Sequence, residues 1–528
     1  MENLPCEILF IIVEQCDFLS IIRFNSINKY FHKKVQVSDL LDVDKKYIIG
    51  LTDEILKQTK FKNLKKLKIN QNITCKGIAR LNLIELNAGK NKNIKSVVHM
   101  KNLKILVAKG DCGIDQKGIQ QISFSENEIN VEHCSLTRDI LGLNLVELNA
   151  NNNTKITDVS FMKNLKKLEA GYDCGINQKG IQELDLIELD LEGNTKVKNI
   201  SSMKNLKLLV ICGNNKINQN GIQGLDLIEL YASGNMLIHD ISFMKNLKIL
   251  DLQGDCGINQ KGINGLNLEE LCVHNNSLIN DVSFMKNLKI LDASGKCGID
   301  QNGINGLNLI ELDAENNEKI NNVGFMKNLK KLIATGKCGI NQKGIRRLNL
   351  VELHAGDNKK INNVSFMKNL KRLVAYHKCG IDQKGIKRLD LVELIAFNNV
   401  KIKNVSFMKN LKILDVGGFC GIDQKGIEGL NLIEFCASDN DKINNVTFMK
   451  NLKILQIEDK CGIDQNGIEG LKLKRLVMRG NKKIFNTCNK CGIEKNKIHE
   501  IVMDDFDIRN KQIINSCSKC GMIIDQIK

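Results

Sequence analysis

The chain has 528 residues and a formal net charge of +17, with 42% hydrophobic and 4% aromatic residues and no tryptophan. Its core must therefore be built from leucine and isoleucine, and no apolar run approaches the roughly twenty residues of a membrane-spanning helix. Length alone suggests roughly three or four domains, but an internal repeat replaces that expectation with one long array.

Residues 1–45 stand apart from the repeat. Leu4-Pro5 ahead of an apolar-periodic run reads as a helix start, where proline is tolerated in the first turn. Ile8, Leu9, Ile12 and Val13 share one face. Asp17 can cap a second helix carrying Phe18, Leu19, Ile22 and Phe24, and residues 25–31 can form a third. Three short helices make a marginal core, so the segment needs something to cover it. Glu2, Glu7 and Glu14 interrupt the apolar stretch that a signal peptide requires. The pattern Leu4-Pro5-x-Glu7-Ile8-Leu9 followed by Asp17-Phe18-Leu19 resembles the F-box, with Tyr30-Phe31 where that motif usually ends in tryptophan. The resemblance covers about forty residues. It implies a small all-α module whose Leu4, Pro5, Ile8, Leu9 and Ile12 bind a Skp-family adaptor of a cullin ubiquitin ligase. A helical cap shielding the first strand is the alternative. Residues 46–62 read as a short linker helix.

From residue 63 to 484 two kinds of repeat alternate, each about twenty residues long. One is Leu309-x-x-Leu312-x-Ala314-x-x-Asn317-x-x-Ile320, termed here the Glu-type repeat after the glutamate at Glu311. The other, the Gly-type, is Leu329-x-x-Leu332-x-Ala334-x-x-Lys337-Cys338-x-Ile340, closing with Gly344-Ile345. Cys256, Cys297, Cys338, Cys379, Cys420 and Cys461 each open a CGI tripeptide 41 residues after the last. Cys174 and Cys112 extend the series if a degenerate extra repeat occupies about 123–143. The count is about ten of each kind. The pattern is similar to leucine-rich repeats, which implies an α/β solenoid: a horseshoe with a parallel concave β-sheet. A segment this short cannot bury its own leucines, but stacked copies can.

Numbering each repeat from its first leucine as zero, offsets 3 and 5 point inward and offsets 2, 4 and 6 outward, as strand alternation requires. Asn153, Asn194, Asn317 and Asn358 at offset 8 are placed to bond backbone groups of the following turn. The NVSFMKN segments of the Glu-type repeats suggest irregular or 3₁₀ returns. The INQKGI segments resemble cysteine-containing leucine-rich repeats, which implies a helical return.

At offset 2, glutamates of one kind of repeat should pair with basic residues of the next, Glu311 with Lys331 and Glu352 with Arg372. Offsets 4 and 6 vary on this constant frame, as a recognition surface requires. Asp292, Asp313 and Glu315 form an acidic stretch, followed by His354, Val374, Tyr376, Ile395 and Phe397 as a candidate target-contact patch. Unselected drift at exposed positions explains the same variation. Lysines recur in FMKNLK and QKG, away from this face, so the net charge points to an acidic inner sheet in a basic shell and a basic or mixed protein target, with nucleic acid disfavoured.

In residues 485–528, Cys488-x-x-Cys491 and Cys517-x-x-Cys520 resemble a zinc ribbon, whose four thiolates would hold a structural Zn²⁺. Cys491 and Cys520 also read as remnants of the repeated KCGI. The other cysteines recur singly and read as reduced, buried thiols of an intracellular protein, cytoplasmic or nuclear. No phosphate loop, H-E-x-x-H or G-x-S-x-G occurs, so the chain reads as a non-enzyme. An F-box-like module followed by leucine-rich repeats resembles the substrate receptors of SCF-type ubiquitin ligases. The near-identical Asn/Lys-rich array is also similar to leucine-rich-repeat proteins of large DNA viruses of amoebae. An interaction scaffold with no ligase link is the rival expectation.

Overall fold

Three-residue strands are the building block of the structure, a computed structural model that describes residues 37–41, 43, 48–123, 139–481, 483 and 500–502. In most strands the central leucine is buried and its two neighbours are more exposed, as in Glu311–Asp313, where Leu312 is 1% exposed. Successive strands pair in parallel with no slippage: Glu311, Leu312 and Asp313 lie beside Lys331, Leu332 and Ile333. Because strand side chains alternate with a period of two, this register keeps every leucine on one face.

The chain forms two compact units, Met1–Leu268 and Glu269–Lys528. In the first, parallel pairing runs from Asp39–Leu40 through Lys66–Lys68 to Ile249–Asp251. In the second it runs from Glu270–Cys272 to Glu500–Val502. Each unit is a leucine-rich-repeat solenoid. Beneath the strands, each kind of side chain forms its own column: Leu309, Leu312, Ala314, Ile320, Val323 and Met326 of one repeat are all buried.

Four expectations are corrected. The parallel sheet begins before residue 63, since Asp39–Leu40, within 1–45, is a strand beside Lys66–Lys68; residues 1–36 lie outside the described residues. The linker 46–62 is not one helix, since Asp53–Leu56 is α-helical and Thr59–Phe61 is 3₁₀. Among the described residues, no extra strand from about 123–143 enters the parallel sheet. The Ile105–Val107 strand pairs directly with Glu147–Asn149, and between them Gln120–Ser123 pairs antiparallel with Asp139–Gly142.

The fourth correction concerns the Gly-type returns. Among the described residues, only Cys75–Ile78 and Gln116–Ile119 of these returns are α-helical. The others described as helix are single 3₁₀ turns, such as Lys343–Ile345. Asn341 Oδ1 accepts from the N–H groups of Lys343 (2.9 Å) and Gly344 (3.2 Å), which starts the turn. The Glu352–His354 strand begins seven residues after Ile345, too soon for a second turn. Gly344 is required because a Cβ there would collide with the carbonyl oxygen of Asn321.

Two side chains stitch a Gly-type repeat to the Glu-type repeat that follows it. Asn317, 1% exposed, donates to the carbonyls of Ala293 (2.7 Å) and Ile299 (3.1 Å) and accepts from Lys319 N (2.9 Å) and Ile320 N (3.3 Å). On the returns, Gln301 donates to Asn322 O (2.9 Å) and accepts from Asn321 N (3.1 Å) and Asn322 N (2.8 Å). One lysine column is also structural, since Lys319, Lys360 and Lys401 donate to the carbonyls of Cys297, Cys338 and Cys379 at 2.9 to 3.1 Å. Burial pushes the thiols of Cys297, Cys338, Cys379, Cys420 and Cys461 up to about 11, so they are protonated and inert at neutral pH.

Candidate functional site on the sheet face

The outward strand positions of the second unit supply the candidate surface. Between residues 290 and 436 they hold Asp292, Glu311, Asp313, Glu352, Glu393, Asp415 and Glu434 against only two permanent cations, Lys331 and Arg372. The face is acidic although the chain as a whole is basic.

The sequence-predicted residues fall into two groups, separated by the Lys331–Ile333 strand. In the first, Asp292 and Asp313 are register partners. Each carboxylate accepts from a backbone N–H two residues ahead, Ser294 at 3.0 Å and Glu315 at 2.8 Å. Asp292 also accepts from the Ser294 hydroxyl. Burial, reinforced by the charges of Asp292 and Glu315, pushes Asp313 up to about 6 despite the Glu315 hydrogen bond. A carboxylate in this state favours a cation from a ligand over solvent.

The second group is a network of charge beside a group of rings. Arg372 joins two glutamates: its Nη1 lies 2.7 Å from Glu352 Oε1 and its Nε 2.9 Å from Glu393 Oε1. His354 Nε2 lies 2.6 Å from the same Glu352 oxygen. Burial alone would raise Glu352, but the His354 and Arg372 hydrogen bonds outweigh it and hold the carboxyl below its usual range. The expected pair Glu311–Lys331 is also formed, at 3.2 Å.

Val374 is corrected. It is 6% exposed, a floor residue rather than a contact arm. Its register neighbours His354 and Ile395 are larger and flank it on both sides. Ile395, Tyr376 and Phe397 are half-buried around it. The Tyr376 ring lies over Gly356, in the space a Cβ would fill, and Phe397 leans the other way over Gly417. His377 stands between them, its ring centroid 5.0 Å from Tyr376 and 5.4 Å from Phe397. Its Nδ1 lies 3.1 Å from Asp357 Oδ2.

Sequence reasoning missed His377 and the bridging role of Arg372. His377 has φ +53° at a repeat position where Gly295, Gly336 and Gly418 also have positive φ. A bulky residue replacing a glycine in left-handed backbone is the signal that would have found it. The adaptor residues Leu4, Pro5, Ile8, Leu9 and Ile12 lie outside the described residues, as do Cys488, Cys491, Cys517 and Cys520. Among the described residues no three His, Cys, Asp or Glu side chains converge as a metal site would need, and no helix is long and apolar enough to cross a membrane.

The repeat geometry and this face define a leucine-rich-repeat solenoid with a laterally varied surface. No family model and no curated protein matches the chain. Solved structures that match it include the functional domain of InlJ from Listeria monocytogenes, which includes a cysteine ladder, at 16% identity over 80% of this chain and 70% of that chain, with a TM-score of 0.29. The TLR13–ssRNA13 complex matches at 16% identity over 88% and 84%, with a TM-score of 0.41. The yeast Rad7–Elc1 complex matches at 15% identity over 68% and 93%, with a TM-score of 0.33.

Proposed function

We propose that the chain is a binding protein whose second unit selects a protein target on its sheet face. We further propose that residues 1–45 bring that target to an SCF-type ubiquitin ligase by docking a Skp-family adaptor. One observation carries the first half. On a frame whose leucines, asparagines and glutamines barely change, outward chemistry changes abruptly between Asp292 and Phe397, from desolvated acid to fixed rings around Val374. A target segment offering a basic side chain to Asp313 and an apolar one to Tyr376 and Ile395 satisfies both ends. The second half is supported by the pattern of Leu4, Pro5, Ile8, Leu9 and Ile12. It implies a cytoplasmic or nuclear setting, with ubiquitin transfer done by partner subunits.

The test is co-purification of the full chain with a Skp-family adaptor. Association lost on Pro5→Ala with Leu9→Ala supports the ligase role. Association retained in that double variant, or absent from the unaltered chain, removes it and leaves an interaction scaffold.

A further inference from the structure

The turns that follow the strands carry a second irregularity, on the rim rather than on the sheet face. Ahead of the CGI tripeptide the repeats of the second unit place a lysine: Lys296, Lys337, Lys378 and Lys460. Phe419 takes that position once, and it is 83% exposed. Its N–H donates to Asn398 Oδ1 at 2.7 Å, so its backbone is held. Val400, 58% exposed, stands where the neighbouring Glu-type repeats have Glu318, Lys359 and Asp441. Phe397 reaches toward the same turn, its ring lying over Gly417. Two apolar side chains, Val400 and Phe419, thus replace charge in consecutive turns, with Phe397 beside them.

A shallow open groove adjoins this patch. Lys337, Lys359 and Lys378 line it, with Glu318 and Asp357. Among the described residues none of these three ammonium groups has an ion-pair partner, while Asp357 is occupied by His377. Lys378 follows His377, whose ring contacts Phe397, so cations and apolar patch are continuous.

We propose that this rim is a docking site for an acidic peptide segment. An aliphatic or aromatic side chain of the segment packs on Phe397, Val400 and Phe419, and carboxylates a few residues away meet Lys337, Lys359 and Lys378. From the Lys337 turn to the Phe419 turn is four repeats, about 19 Å at strand spacing, which an extended segment of about six residues spans. Single-stranded nucleic acid fits less well. The rings of Tyr376, His377 and Phe397 meet at 74° and 58°, leaving no parallel faces for a base to enter, and Val400 offers no stacking surface. The proposal rests on the chain being a binding protein, but not on the sheet face being where the first target sits.

The test pans a phage-displayed library of random twelve-residue peptides against the full chain. The enriched peptides are then measured against variants by fluorescence polarisation. Phe419→Lys restores the residue of the other repeats and leaves the fold intact. The expected result is enrichment of an apolar residue flanked by Asp or Glu, with affinity falling at least tenfold in Phe419→Lys and in Lys359→Glu with Lys378→Glu, and staying within twofold in Asp313→Asn. Enriched peptides that are basic, or that bind Phe419→Lys as well as the parent, overturn it. So does oligo-dT binding that Phe419→Lys abolishes when no peptide is enriched. Peptides lost with Asp313→Asn or Tyr376→Ala but not with Phe419→Lys would remove the rim site and leave the sheet-face reading standing.

Discussion

Replacing Asn317 by alanine tests the claim that buried asparagines, rather than surface ion pairs, hold the repeats together. One side chain, 1% exposed, satisfies four backbone groups belonging to two consecutive repeats. Its removal strands the carbonyls of Ala293 and Ile299 and the N–H groups of Lys319 and Ile320. A buried polar group left without a partner costs about 1–3 kcal/mol. The Lys319 amide is only part-buried and recovers water, so the total should be roughly 3–5 kcal/mol. Solenoids unfold segment by segment, so urea denaturation should be followed by both circular dichroism and amide hydrogen exchange. Protection should collapse around residues 293–320 before it does elsewhere. Asn317→Asp keeps the acceptors but sets a buried carboxylate against the carbonyls of Ala293 and Ile299, and should cost at least as much as alanine at neutral pH. By comparison, Lys331→Ala removes a solvent-screened pair and should cost less than about 1 kcal/mol. If Asn317→Ala moves stability by no more than Lys331→Ala does, the reasoning is wrong.

Asp313→Asn should act through pH. Burial holds the folded carboxyl at about 6, above its ordinary value of 3.8, so the folded state binds the proton more tightly. The stability tied to that proton is lost as pH rises through about 6, and the charged form is penalised above it. The variant should therefore raise the denaturation midpoint at pH 7.5 and leave it nearly unchanged at pH 3.5; an equal shift at both would contradict the assignment. Gly344→Ala should lower the thermal midpoint by several degrees, because the added methyl meets the Asn321 carbonyl and not a movable side chain; an unchanged midpoint would show that the return can shift. Arg372→Met should leave Glu352 and Glu393 facing each other and raise the Glu352 carboxyl pKa, read by NMR titration. Arg372→Lys should not restore both contacts, because one ammonium cannot reproduce the fork.

Strand placement was legible because a two-residue alternation and a fixed leucine spacing leave one register that hides every leucine. Glu311 opposite Lys331 follows from that register, and so does the turn role of Asn317. The return conformation was not legible. Lys343–Ile345 winds as 3₁₀ and Cys75–Ile78 as α, although both are capped three residues before the glycine and end seven residues before the next strand, so neither the cap nor that spacing separates them. Residues 120–142 misled for a related reason, since matching a spacing of one repeat does not establish that a segment joins the parallel sheet. Val374 was misplaced because strand alternation gives a side chain's direction but not the size of its neighbours. In the rings, glycine was the unread sign: Gly356 and Gly417 are the seats on which Tyr376 and Phe397 lie.

The glutamine clamp has a consequence for how such a gene can change. Gln116 closes on Thr157 N at 2.9 Å and on Asp158 N at 3.0 Å, just as Gln301 closes on Asn321 and Asn322, although an added hairpin separates its partners along the chain. A joint that ignores the length of what it encloses lets 41 codons be duplicated or excised by recombination and still rejoins with like chemistry. Excision of residues 310–350 would bring the Asp292 strand beside Glu352–His354, one strand from the one that leads to Tyr376, altering which binders fit while the leucine columns stay continuous.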